Sequence, residues 1–170
     1  NNFSYESLDL INDMGIVSNY EFQVKNFNAD SKNSASLKNK KEHNFEGIFQ
    51  FNSKLPLKKD GKKFNTFFTP IFVAKLNPSD NKNIRGSDRM IDYNNIYSIN
   101  RIASNETLEG KNSITLGNEF KILDKLSDKE LFSFNLASSF RDEENEDLPI
   151  KSSIGNKTSN IVGQLNLNPD

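Results

Sequence analysis

Cysteine and tryptophan are absent from this sequence of 170 residues, and histidine occurs once, at His43. Without cysteine, the segment can form no disulfide, no thiolate zinc site and no thiol nucleophile. A Ser-His-Asp arrangement would have to use His43, which lies in a polar stretch with no serine elbow beside it. We therefore predict no catalytic residue and no cofactor.

Long apolar runs are also absent. No run reaches the length of about 18 residues that a membrane-spanning helix needs, and the mean hydropathy is −0.70, which excludes a transmembrane helix. Membrane barrel strands alternate lipid-facing and lumen-facing residues, so a barrel is compatible with this hydropathy. A net charge of −1 leaves no basic surface for nucleic acid, which we do not expect as a partner.

Period-2 alternation of apolar and polar residues predicts strands along most of the chain. The predicted strands are 16–28, 44–57, 63–77, 110–123, 130–142 and 159–168, with a weaker candidate at 3–10. In the clearest of them, one side carries Ile114, Leu116, Phe120 and Ile122. The other side carries Ser113, Thr115, Glu119 and Lys121. Strand 63–77 is apolar on both sides, which leaves its outward face open.

Short and long connections alternate between these strands. The short ones are 12–15, 58–62 and 124–130, and the long ones are 29–43, 77–109 and 142–158, the second with a possible short strand at 96–99. An up-and-down barrel with tight turns at one rim and extended loops at the other has this pattern. The sequence thus predicts an all-β fold, a curved antiparallel up-and-down meander of about seven strands. Periodicity alone does not say whether the apolar stripes face lipid or form the core of a soluble β-sandwich.

An acidic run in the last long connection could chelate a hard cation. It consists of Asp142, Glu143, Glu144, Glu146 and Asp147. The run lacks the glycine-turned spacing of a calcium loop, so we interpret it as a solvated charge run and predict no metal site.

Three separated motifs are more specific. The first is an aromatic residue near the pair Asn100 and Arg101, followed after a short gap by Glu109 and Gly110 at the start of a strand. The second is Phe68, Thr69 and Pro70, again leading into an alternating strand. The third comprises Lys157, Thr158, Ser159, Asn160, Ile161, Val162 and Gly163. In this order they resemble the barrel domain of the LPS-assembly protein family LptD, also called organic solvent tolerance protein, over residues 45–170.

Some positions depart from the family pattern. Ser104, Asn105, Glu106 and Thr107 stand where we expect Gly-x-Asp-Arg, and Lys111 stands where a second glycine is usual. In the range 137–141, Ala-Ser-Ser replaces the expected Gly-Gln before the aromatic-Arg pair. These changes preserve the strand pattern, and they affect only the loop contacts that could be inferred from relatives.

The resemblance implies an interior segment of one transmembrane β-barrel domain over 1–170, without an internal domain boundary, in the bacterial outer membrane. It implies a non-enzymatic translocon that inserts lipopolysaccharide into the outer leaflet. The implied partners are lipopolysaccharide, outer-membrane lipid, an LptE-like lipoprotein plug and a periplasmic LPS bridge. A surface or soluble β-sandwich that binds glycans and a porin-like channel are the alternatives.

The barrel interpretation also predicts sidedness. The short turns should be periplasmic and the long connections extracellular. Leu116 should face lipid, whereas Thr115 should point into a hydrated lumen where an arginine would be tolerated, because successive side chains alternate.

Overall fold

The computed structural model describes residues 2–30 and 41–168, which form one antiparallel sheet of nine strands. The strands are β1 (Asn2–Glu6), β2 (Leu10–Ile11), β3 (Val17–Asp30), β4 (Lys41–Lys54), β5 (Leu57–Asp60), β6 (Phe64–Leu76), β7 (Ser113–Asp124), β8 (Glu130–Arg141) and β9 (Val162–Leu167). Seven lie side by side in the order β1-β3-β4-β6-β7-β8-β9, while β2 pairs with β3 and β5 with β6. Within the described ranges, no helix is long and apolar enough to cross a membrane.

The predicted all-β meander with sequential antiparallel neighbours is confirmed. The pairing of 44–57 with 63–77 occurs, with Phe51 opposite Ala74 and Leu57 opposite Phe68. The first of these predicted strands divides into β4 and β5 at Pro56, because proline has no N–H to give to the ladder. The two long connections that the structure describes, 77–112 and 142–161, leave the sheet at one end, and the short turns lie at the other.

Three local predictions are wrong. The turn expected at 58–62 begins later, because Leu57–Asp60 is strand β5 paired with β6, and the chain reverses at 61–63. The expected loop 29–43 begins and ends in strand, because β3 and β4 remain paired as far as Asp30 and Lys41; residues 31–40 lie outside the described part. His43 therefore lies in β4, with Nδ1 2.7 Å from Asn28 Oδ1. The expected strand at 96–99 is a turn, in which the Ile96 N–H donates to the Asp92 carbonyl at 3.0 Å.

The two faces of the sheet differ in chemistry. The apolar face is exposed, and Ile114 and Leu116 on it are 45% and 49% exposed. Other exposed residues of this face are Phe45, Phe49, Phe51, Phe72, Leu76, Phe134 and Phe140. The polar face is buried and includes Lys25, Glu46, Gln50, Lys75, Ser113, Thr115, Ser139 and Arg141. This burial is the reverse of that in a soluble protein, which buries its apolar side chains. It also shows which apolar side of β6 faces outward, because Val73 is buried and Phe72 is exposed.

Two connections cover the polar face: residues 77–112, between β6 and β7, and residues 142–161, between β8 and β9. They pack against each other around a small apolar core. Its members are Ile91, Ile96, Ile102, Leu148 and Ile154, together with Ala137 of β8. Backbone bonds join the connections, with the Ile84 N–H donating to the Asp147 carbonyl at 2.8 Å. The sheet therefore carries a folded inner layer on its polar side.

Candidate functional site: a buried charge cluster beneath the inner layer

Glu109 lies at the centre of a cluster of charged side chains that is closed to solvent. Its carboxylate has no exposed area and forms ion pairs with three basic groups. Lys75 Nζ lies 3.4 Å from Glu109 Oε2, and Arg101 and Arg141 each pair with Oε1. We call Lys75, Arg101, Glu109 and Arg141 the buried charge cluster. It joins the 77–112 connection to β6 and β8.

Arg101 forms hydrogen bonds both with Glu109 and with side chains on the polar face of the sheet. Its Nε donates to Glu109 Oε2 at 2.8 Å while Nη2 donates to Oε1, which is the bidentate geometry that suits a guanidinium and a carboxylate. Its remaining donors reach hydroxyls on the polar face of β7 and β8. These are Ser113 Oγ at 2.9 Å, Thr115 Oγ1 at 3.5 Å and Ser139 Oγ at 2.6 Å. The small size of these residues leaves room for the Arg101 side chain, and their hydroxyl groups accept hydrogen bonds from its guanidinium group.

Arg141 ties the two connections together. Its Nε donates to the Ile154 carbonyl at 2.6 Å and its Nη1 to the Gly110 carbonyl at 3.0 Å, in addition to its pair with Glu109. Lys75 likewise donates to the Ser98 carbonyl at 2.8 Å. The charged groups thus meet backbone carbonyls of both connections, which compensates for their removal from water.

A second buried anchor lies on β3 and β4. Glu46 accepts from the Thr107 hydroxyl at 2.8 Å and from the Leu108 N–H. Lys25, its register partner on β3, donates to the Ser104 carbonyl at 2.5 Å. The 77–112 connection is therefore fixed to the sheet from β3 across to β8.

Gly110 follows Glu109 because a larger residue would not fit there. A Cβ at this position would lie 2.6 Å from the Ser79 carbonyl oxygen and 2.8 Å from the Asn81 nitrogen. Both belong to the start of the same connection, which folds back tightly on its own end. Lys111 then adopts φ of +69°, the left-handed region that glycine occupies at little cost, and it pairs with Asp80 and Glu143 at 2.9 Å each.

Opposing effects set the pKa of Glu109. Burial by itself raises the pKa, but the positive charges of Arg101, Lys75 and Arg141 outweigh burial and hold the pKa well below its usual value of 4.5. Glu109 is therefore ionised at neutral pH and well into the acidic range. The charge it supplies is a permanent part of the fold.

This depressed pKa predicts acid sensitivity of the inner layer. A carboxyl group whose pKa is lower in the folded state stabilises the fold above its unfolded pKa, and this contribution disappears as the pH falls through the folded pKa. We expect no loss from Glu109 between neutral pH and pH 4.5, and a progressive loss below pH 4.5. Denaturant unfolding of the full-length protein at a series of pH values across this range measures the loss of stability. A Glu109→Gln variant that lost stability in parallel with wild type below pH 4.5 would contradict this assignment.

Comparison with known families supplies the identity of this architecture. The family described as LptD, LPS transport system D, matches residues 5–170. The chain belongs to the LptD family. No curated protein and no solved structure matches it. The LptD assignment places the chain in lipopolysaccharide transport and assembly and points to the outer membrane, and the resemblance carried by the three motifs is confirmed.

The motif residues of the LptD resemblance do not all lie in one place. Arg101 and Glu109 meet in the buried charge cluster, with Asn100 and Gly110 beside them along the chain. Thr69 and Pro70 lie in β6 between the segments that pair with β4 and β5. Proline is tolerated at such a break because no ladder hydrogen bond is required of its nitrogen there. Its carbonyl accepts from the Leu55 N–H at 3.1 Å.

The third LptD motif extends the edge of β8. The Lys157 carbonyl accepts from the Arg141 N–H at 2.8 Å, and Thr158 forms a bridge with Phe140. Ser159 donates its N–H to the Ser139 carbonyl at 2.8 Å and accepts from the Ser139 N–H through its hydroxyl at 2.9 Å. The end of the motif is Ile161, which is exposed, followed by Val162 and Gly163 at the start of β9. The motif thus holds the 142–161 connection beside the charge cluster.

Sequence reasoning missed Lys75, Arg141, Glu46 and Lys25 as members of the site. Their signal was present, since each is a charged residue at a polar position of an alternating strand. Charged residues at such positions are ordinarily solvated, so the pattern does not distinguish them from surface residues until a covering segment is known. The expected tolerance of Thr115 to arginine is wrong, because Thr115 is 2% exposed and packs beneath Arg101.

The acidic run, within residues 142–147, contacts polar and basic side chains of the 77–112 connection near the protein surface. Asp142 accepts from Asn112 at 2.9 Å, Glu143 pairs with Lys111, and Glu146 Oε2 lies 3.8 Å from Arg85. Over the ranges 2–30 and 41–168, no group of three histidine, cysteine or acidic side chains is placed to hold a metal ion.

Proposed function

We propose that this chain forms part of the wall of an outer-membrane barrel that inserts lipopolysaccharide into the outer leaflet. In this proposal the apolar face contacts membrane lipid and the polar face looks into the barrel. The observation that carries it is the reversed burial of the sheet, with Ile114 and Leu116 exposed and Lys75 and Arg141 buried. Lipid is the environment in which an exposed apolar band is stable, and closure of the barrel pairs every strand edge.

The burial pattern argues against the soluble sandwich. A sandwich buries its apolar stripes between two sheets and exposes the polar ones. Here the polar positions are covered by the connections, and the described residues supply no second layer over the apolar face.

We further propose that residues 1–170 belong to a single barrel domain without an internal boundary. The unbroken ladder from β1 to β9 supports this assignment. The mechanism is conduction without covalent chemistry, and the proposed partners are lipopolysaccharide, outer-membrane lipid, an LptE-like lipoprotein plug and a periplasmic LPS bridge. The long connections lie at the extracellular end and the short turns at the periplasmic end, as the lengths of the connections favour.

Spin labels at two positions on opposite faces of β7 test the sidedness. Leu116→Cys and Glu119→Cys introduce attachment sites on the two faces of β7 in the full-length protein in lipid bilayers, and the unsubstituted full-length protein, labelled in the same way, gives the background from cysteines outside this segment. The label at 116 should collide mainly with oxygen, which concentrates in lipid, and the label at 119 mainly with a water-soluble nickel complex. Nickel-dominated collisions at both positions would contradict a lipid-facing apolar band.

Transport itself requires a cellular test. Depletion of the protein in its own cells should reduce the lipopolysaccharide that a non-penetrating, surface-acting probe can modify. Restoration by the full-length gene is the control. Undiminished surface lipopolysaccharide after depletion would exclude the proposed function.

A further inference from the structure

The 77–112 connection is fastened to the sheet in a way that opposes movement. Its Arg101 and Glu109 side chains are 1% and 0% exposed and pair with each other, and Glu109 also pairs with Arg141 of β8. Moving the connection away would separate Glu109 from Lys75 of β6 and Arg141 of β8 and leave buried charges without their partners, which is strongly unfavourable. The second anchor, Glu46 with Thr107, would have to break at the same time.

Packing opposes movement as well. The connection shares the apolar core with the 142–161 connection and with Ala137 of β8. Tyr97 of the same connection lies over Gly117 of β7, where an added Cβ would be 1.9 Å from the Tyr97 hydroxyl. Because the 77–112 connection packs so closely on the sheet, it fits there in a single position.

The polar face remains open in two places beside this layer. A cavity of about 280 Å³ lies next to Tyr97 and is lined by polar side chains that include Asn19, Glu21, Asn52 and Glu119. A second cavity of about 510 Å³ lies between Ile99 and strands β1 and β3, where Ser4, Glu6, Glu21 and Gln23 line it. Glu21 borders both cavities, so they adjoin on β3. Only the larger cavity lies beside the connection on its β1 side, whereas the smaller one extends over β4, β6 and β7.

We propose that the 77–112 connection is a fixed partition that stays seated during transport, and that the polar part of the cargo passes it on the β1–β3 side. This inference rests on the proposed function. The partition fills the space over β4 to β8 at the end of the sheet where the long connections leave it, because the charge cluster and the apolar core lie there. The smaller cavity continues over β4, β6 and β7 on the other side of Tyr97, towards the short turns. The hydroxyl, amide and carboxylate groups around Glu21 offer hydrogen bonds of the kind that a saccharide exchanges for water.

Hydrogen exchange of the full-length protein in bilayers tests whether the partition is fixed. Amides of 94–110, among them the fully buried Leu108 that donates to Glu46, should exchange at least about 100-fold more slowly than those of the turn 125–129, with or without added lipopolysaccharide. Exchange in 94–110 that rose to the rate of the turn when lipopolysaccharide was added would overturn the proposal. The measurement does not require transport, so it shows whether the 77–112 connection stays in place even if the proposed function is wrong.

Blocking the open side tests the route. Ser4→Cys is a nearly isosteric change in the wall of the larger cavity, and modification with a bulky maleimide should reduce lipopolysaccharide delivery severalfold relative to the unmodified variant. Leu126→Cys, in the exposed turn after β7, is the matched control, and its modification should leave delivery unchanged. Full delivery after complete modification at position 4, in protein whose unmodified form transports, would overturn the route and leave the proposed function standing.

Discussion

Replacing Glu109 by glutamine should lower the free energy of unfolding of the protein by about 3–5 kcal/mol. Glutamine keeps the shape of the side chain but removes the only carboxylate that Lys75, Arg101 and Arg141 share. Arg101 and Arg141, whose guanidinium groups keep their protons, would then remain charged in a closed environment without a counter-charge. Equilibrium unfolding by denaturant of the full-length protein in lipid gives the difference.

Glu143→Gln is the matched control for this change. Glu143 also pairs with a basic side chain, Lys111, but both partners are accessible to solvent. Water and salt screen such a pair, so its loss should change stability little. Equal effects of the two substitutions would mean that burial of the cluster does not determine its importance.

Leu116→Arg should destabilise the protein in a membrane by about 2–4 kcal/mol. Leu116 lies in β7 on the exposed apolar face, and a guanidinium there would have to enter hydrocarbon or distort the bilayer around it. The neighbouring position cannot serve as the tolerant comparison, because Thr115 is buried beneath Arg101.

Leu126→Arg provides the same chemical change outside the membrane band. Leu126 is 98% exposed in the turn after β7, so arginine there remains in water and should leave stability nearly unchanged. Unfolding of both variants in bilayers and in detergent separates the two environments. A Leu116→Arg variant as stable as Leu126→Arg in bilayers would refute lipid contact by this face.

The period of two along each strand determined the strands and the separation of their faces. Side chains of an extended chain alternate whatever surrounds them, so the order of residues alone assigns Ile114 and Leu116 to one face and Ser113 and Thr115 to the other. Turn chemistry and the lengths of the connections determined the meander, because neighbouring antiparallel strands follow from short hairpins. The three motifs pointed to the LptD family, and the family match over residues 5–170 confirms that assignment.

The tertiary structure decided what each face meets. Apolar and polar residues alternate along a strand in the same way whether the polar face meets water or lies beneath a folded connection. The sequence therefore could not show that Thr115 is buried or that Glu46 accepts a hydrogen bond from Thr107. The partners of Glu109 also required the structure, because Lys75 and Arg141 are brought to it by the register of β6, β7 and β8, across 34 and 32 residues of chain. Such contacts depend on long-range packing, in which each charged group is stable only once all of its partners have closed around it.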